Sequence, residues 1–115
     1  MNLDGKVAIV TGASRGVGAA AAIALAREGV AVACAARATD TDPLRLPGTI
    51  DDTVRQITDA GGRAVAAPTN LANEDEIERM VATAIDHFGR LDVLVNNAAI
   101  TFPGDLDVPL NATTS

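Results

Sequence analysis

The chain has 115 residues, a length that allows one domain with a single core. Hydrophobic residues make up 48% of it, almost all Ala, Val, Ile and Leu with no Trp or Tyr, so the core must be built from small aliphatic side chains. A net charge of -6, spread over several segments, argues against nucleic acid as a partner, because phosphate backbones need a basic face.

Cys34 is the only cysteine and cannot form an internal disulfide. No charged-then-apolar leader precedes Lys6, and no apolar run approaches membrane-spanning length. These features read as a soluble protein of a reducing cytoplasm with no membrane partner. The sequon at Asn111 reads as unused in that setting.

In chain order, residues 6–11 (KVAIVT) form a short apolar run between Gly5 and Gly12, the pattern of a buried parallel strand. Residues 16–28 read as a helix with Val17, Ala20, Ala21, Ala24 and Leu25 on its inner face and Gly29 as the stop. Residues 31–36 (AVACAA) make a second strand, and a polar stretch over 37–48 with two prolines reads as a long loop. Thr49 can cap a helix running to about residue 60, with Asp51 and Asp52 in its first turn and Ile50, Val54 and Ile57 facing inward. Gly61-Gly62 ends it, and residues 63–67 give a third strand. Asn73 with Glu76 three residues later is a capping-box-like signal. The helix behind it carries an apolar stripe of Ile77, Met80, Val81, Ala84, Ile85 and Phe88 and ends at Gly89. Residues 92–96 (DVLVN) form a fourth strand, and no further element is legible after Asn97.

The order βαβαβαβ specifies an α/β fold with a doubly wound parallel sheet, truncated after the fourth strand. With right-handed crossovers and strand order 3-2-1-4, the first two helices cover one face and the third helix covers the other. The domain is read as residues 1–109, followed by a polar tail over 110–115.

Thr11-Gly12-Ala13-Ser14-Arg15-Gly16-Val17-Gly18 joins the first strand to the first helix. A pyrophosphate must approach the backbone closely at such a turn, and a Cβ there would obstruct it. The N–H groups at the helix N-terminus then point at the phosphates, aided by the helix dipole. Ser14 adds a hydroxyl donor and Arg15 a charge. An ordinary glycine-rich βα turn is the competing reading; the placement of Gly12, Gly16 and Gly18 between a strand and a helix favours the dinucleotide site.

TGASRGVG resembles the TGxxxGxG signature of classical short-chain dehydrogenases/reductases. VNNAA at 95–99 resembles that family's NNAG motif, with Ala99 in place of the glycine. The resemblance spans residues 3–109 and implies the front, NAD(P)-binding half of a Rossmann-like domain.

NAD-binding Rossmann proteins usually place a carboxylate at the end of the second strand, where it accepts from the ribose hydroxyls. Here that position is Ala36, followed by Arg37. An acid would repel a 2′-phosphate, whereas an uncharged residue followed by arginine invites one. The resemblance therefore implies NADP(H) over NAD(H), with Arg37 clamping the 2′-phosphate and Arg15 reinforcing it; the competing reading has Arg37 solvating the start of a loop. A charge-assisted bond of this kind contributes roughly 1.5–3 kcal/mol. By resemblance, Asn70 occupies the place of an adenine-reading Asp, with the Leu71 N–H donating to the ring, and a turn-forming role for Asn70 stands beside this. Asn97 and Ala98 are carried over as cofactor-lining positions, Asn97 for the ribose, and Asn96 for a structural hydrogen bond. Ala99 adds a methyl near that path.

The resemblance also implies a tyrosine to move the proton, a lysine four residues later to lower its pKa, and a serine to orient substrate. The chain contains no tyrosine, and its only lysine is Lys6. Alone it is expected not to catalyse hydride transfer. Cys34 reads as a core residue, and His87 as a favourable last-turn partner of the helix dipole. Glu74, Asp75 and Glu76 read as a favourable first turn, so no metal site is expected. Truncation leaves the fourth strand as an exposed apolar edge, which predicts self-association or a complementary partner. Two other readings stand beside the reductase portion: a non-catalytic dinucleotide-binding or assembly module, and a degenerate fragment without function.

Overall fold

The computed structural model describes residues 3–14, 16–37 and 49–97. Its elements alternate as β1 (Val7–Thr11), α1 (Gly16–Arg27), β2 (Ala31–Ala36), α2 (Ile50–Asp59), β3 (Ala64–Pro68), α3 (Glu74–Phe88) and β4 (Val93–Val95). All four strands are parallel and pair in the order β3-β2-β1-β4, the doubly wound arrangement expected from the sequence. Arg15, residues 38–48 and residues 98–115 lie outside the described residues, and with them the long loop, Ala98, Ala99 and the polar tail.

Strand alternation divides the core into two layers. Ala8, Val10, Val32 and Cys34 face α1 and α2, where they meet Ala22, Ile50 and Ile57. Val7, Ile9, Ala31, Ala33 and Ala35 face the opposite way and meet Met80 and Ala84 of α3. β1 is buried along its whole length, because it has a strand on each side and helices over both faces. Burial raises the Cys34 thiol pKa to about 12, which makes it an inert packing group.

The ends of α2 form as its local sequence predicts. The Thr49 hydroxyl accepts from the Asp52 N–H while the Asp52 carboxylate accepts from the Thr49 N–H, a complete capping box. At α3 only half of such a box forms. Asn73 Oδ1 accepts from the N–H groups of Asp75 and Glu76, but the Glu76 carboxylate turns away and accepts from the Asn70 N–H. Gly89 ends α3 in the left-handed region at φ 82°.

Three details depart from the sequence reading. On α1 the buried residues are Gly18 and Ala22, whereas Val17 is 73% exposed and Ala20 and Ala24 are also exposed. Nearly every residue of that helix is apolar, so no polar face marks its rotation; the glycine contact described below sets it instead. On α3, Ile85 lies off the buried line of Met80 and Ala84 and is exposed. β4 has only three residues, because Asp92 and Asn96 at its ends spend their side chains on β1.

The lower clip on β4 is Asp92. Its Oδ2 accepts from the Val7 N–H at 2.9 Å, and its backbone N–H donates to the Val7 carbonyl at 2.9 Å. Arg90 holds the same carboxylate with two side-chain bonds, of 2.9 and 2.7 Å. The Arg90 guanidinium, followed by the Val7 N–H, holds the Asp92 carboxyl below the usual carboxylate range. A depressed folded pKa contributes stability that is fully present above the unfolded value and is lost as pH falls through the folded one. Thermal melts from pH 7 down to pH 2 should therefore show Asp92→Asn losing less stability on acidification than the unaltered chain, with a lower Tm at pH 7. Identical acid profiles would remove the clip as a source of stability.

Candidate functional site

β1, β2 and β4 all end at the carboxyl edge of the sheet, where crossovers on opposite faces leave a crevice. β1 runs directly into the glycine-rich turn. Gly12 and Gly16 take left-handed conformations, at φ 64° and 62°, which other side chains rarely adopt. Gly18 meets a different constraint: an ideal Cβ there would lie 2.0 Å from the Gly12 carbonyl oxygen and 2.9 Å from Asn97 Nδ2. The missing side chain lets α1 start directly against the turn, with Gly16 and Val17 exposed at its open end.

The peptide units around Ala13 are anchored on both sides. The Ala13 N–H donates to the Ala35 carbonyl at 3.3 Å, and its carbonyl accepts from the Thr53 hydroxyl of α2 at 2.7 Å. Ala13 itself is fully buried, while Ser14 next to it is half-buried.

Thr11 is the upper clip between β1 and β4. Its hydroxyl lies 3.3 Å from the Val95 carbonyl and 3.2 Å from Asn96 Oδ1, and it accepts from the Asn97 N–H at 2.8 Å. Asn96 thus has a structural bond, and Asn97 is held against the turn beside Gly18. On the other side, the Thr69 N–H donates to the Ala36 carbonyl at 2.9 Å and its buried hydroxyl donates to the Ala67 carbonyl at 2.8 Å. That pairing fixes the end of β2, from which Arg37 emerges exposed.

Gly12, Ser14, Gly16, Val17, Gly18 and Asn97 therefore come together at the mouth of β1, and Arg37 follows the neighbouring strand. Arg15 and Ala98 lie outside the described residues. Asn70 is in the turn-forming arrangement, its Oδ1 accepting from the Ala72 N–H at 3.0 Å, and Leu71 packs half-buried against the α3 layer. Thr11, Thr53 and Thr69 were not singled out from the sequence as site-building residues; only Thr11, as part of the TG pair, carried any signal. The His87 ring lies 3.0 Å from the Thr83 carbonyl on the exposed side of α3. Among the described residues no group of three or more His, Cys, Asp or Glu side chains could hold a metal, and no helix is long and apolar enough to cross a membrane.

Comparison with known proteins agrees with this architecture. The family model of the short chain dehydrogenase matches residues 6–112. The 3-oxoacyl-[acyl-carrier-protein] reductase of Synechocystis sp. is 44% identical over 99 residues, covering 86% of this chain and 37% of that protein. Hydroxysteroid dehydrogenase-like protein 2 of Danio rerio is 41% identical over 109 residues, covering 94% of this chain and 26% of the relative. Among solved structures, a short chain dehydrogenase from Mycobacterium avium superposes with TM-score 0.78 at 42% identity, over 89% of this chain and 37% of its own. A metagenomic short-chain oxidoreductase crystallised in complex with NADP superposes with TM-score 0.71 at 40% identity, over 90% of this chain and 43% of its own. The chain thus spans between about a quarter and just over two fifths of the length of these relatives. Strand order, glycine turn and sequence matches agree, and the chain belongs to the short chain dehydrogenase family.

Proposed function

We propose that this chain is the NADP(H)-binding portion of a short-chain dehydrogenase/reductase, with residues 1–109 as its dinucleotide-binding domain and 110–115 as a polar tail. The observation that carries the reading is the Gly18 contact. A helix that opens against a left-handed glycine turn, with space only for a hydrogen at Gly18, is a cradle in which backbone N–H groups meet phosphate. The nicotinamide, when bound, supplies the hydride donor or acceptor for a carbonyl or alcohol substrate. The chain's own part is to bind and orient. Gly12, Ser14, Arg15, Gly16, Val17 and Gly18 form the pyrophosphate cradle, and Asn97 with Ala98 lines the ribose side. Arg37 pairs with a 2′-phosphate, and the adenine is met by the Leu71 N–H and by Asn70, whose Oδ1 also closes the turn onto the Ala72 N–H.

NADP(H) rather than NAD(H) is favoured because the residue that ends β2, Ala36, carries no carboxylate of its own and is followed by the exposed Arg37. The family's proton-moving tyrosine has no counterpart in a sequence without tyrosine, so the chain by itself is proposed to bind cofactor without turning over a substrate. A cytoplasmic location suits the free, buried thiol of Cys34.

Fluorescence titrations with NADPH and NADH test the assignment. Arg37→Ala should weaken NADPH at least about tenfold, the equivalent of one lost charge-assisted bond, and leave NADH nearly unchanged. Equal losses for both cofactors would reject the 2′-phosphate role. Gly18→Ala should weaken both cofactors together and cost about 1–3 kcal/mol of stability through overpacking, read from denaturant unfolding. β4 carries exposed Val93 and Leu94, and among the described residues no strand pairs with its outer edge. The chain is accordingly expected to self-associate with rising concentration in light scattering. A monodisperse monomer with cooperative unfolding overturns that expectation.

A further inference from the structure

We infer that Thr53 of α2 is a positioning residue for the phosphate-binding turn, its buried hydroxyl fixing the Ala13 carbonyl and thereby aiming the Ser14 N–H at bound phosphate. The inference rests on the cofactor reading above and adds to it a residue outside the glycine motif.

The Ala13 carbonyl and the Ser14 N–H belong to one planar peptide group, and the described residues contain no cis peptide bond. In a trans peptide the C=O and N–H point in opposite directions. Thr53 is 1% exposed and draws the carbonyl inward toward α2 with a 2.7 Å bond. The Ser14 N–H of the same group is therefore turned away from α2. A helical threonine ordinarily donates back to the carbonyl four residues earlier. Thr53 has that acceptor, the Thr49 carbonyl, at 3.4 Å, yet its hydroxyl sits much closer to Ala13. One hydroxyl carries one proton, and the shorter contact takes it.

The bond also couples two units that are otherwise separate in sequence, 40 positions apart. The Ala13 N–H is held by β2 through Ala35 and its carbonyl by α2, so the turn is clamped between the second βα unit and its own helix. An apolar side chain at position 53 would fill the space but leave the carbonyl without this donor. The peptide group could then rotate, and the N–H would lose its alignment before any ligand arrives. Because this geometry concerns phosphate and not the 2′-substituent, its loss falls on both dinucleotides alike.

The test is titration of the full chain with NADPH and NADH, comparing Thr53→Val, Thr53→Ser and a packing control, Ile57→Val, which trims the same helix without touching the bond. Thr53→Val should weaken both cofactors by about tenfold, the size expected when one N–H loses its hydrogen bond to a charged phosphate. Thr53→Ser, which keeps the hydroxyl, should bind within about twofold of the unaltered chain. Ile57→Val should lower Tm and leave both affinities unchanged. If Thr53→Val does not fold, Thr53→Ala takes its place with the same expected loss. A loss confined to NADPH, an equal loss in Ile57→Val, or unchanged binding without the hydroxyl overturns the inference alone. Failure of the unaltered chain to bind either cofactor overturns the cofactor reading, and this inference with it.

Discussion

The close approach of Gly18 to the Gly12 carbonyl is the constraint from which the rest of the arrangement follows. A methyl group at that place would push α1 away from the end of β1. With hydrogen there, the helix starts against the turn and its rotation is decided. Ala22, one turn later, then falls on the sheet, and Val17 falls outside. The same contact brings Asn97 against the helix start, so the exit of β4 and the entry of α1 share one wall.

Small side chains extend this economy of space to the core. β2 presents Ala31, Ala33 and Ala35 to α3, and larger residues there would lift the helix off the sheet. Such a core buries little area per residue, which increases the importance of the polar groups that hold its edges in register. Four threonines contribute in different ways: Thr11 ties β1 to β4, Thr49 caps α2, Thr53 ties α2 to the turn, and Thr69 ties β3 to β2. Each has its hydroxyl or backbone in a bond, as buried polar groups require.

What could be read from the sequence was what depends on near neighbours. The strands stood out as short apolar runs set off by glycines, and the α2 cap was visible because Thr49 precedes a first turn that carries Asp51 and Asp52. The rotation of α1 was not visible, since a run of alanines has no polar side to orient it. The second half of the α3 capping box failed for a related reason: Glu76 found a better partner in the Asn70 backbone, part of a turn whose shape the motif does not encode. At the mouth of β1, the glycine turn was legible through its spacing between a strand and a helix. Thr53 was not, because a threonine in a helix interior looks ordinary until its acceptor, 40 residues earlier, is in place.

The clips on β4 also bear on how the fold is reached. Thr11 finds Asn96 and Asn97 at separations of 85 and 86 residues, and Val7 finds Asp92 at 85. β1, the most buried strand, thus lacks one of its two neighbours until nearly the whole described chain exists. Loop closure of that length slows folding well before it weakens the final state. On the ribosome, β1 would leave the exit tunnel long before β4, with one apolar flank waiting for the strand that completes the crevice. Synthesis rate and chaperone access during that interval therefore bear directly on how much of the protein reaches its folded form.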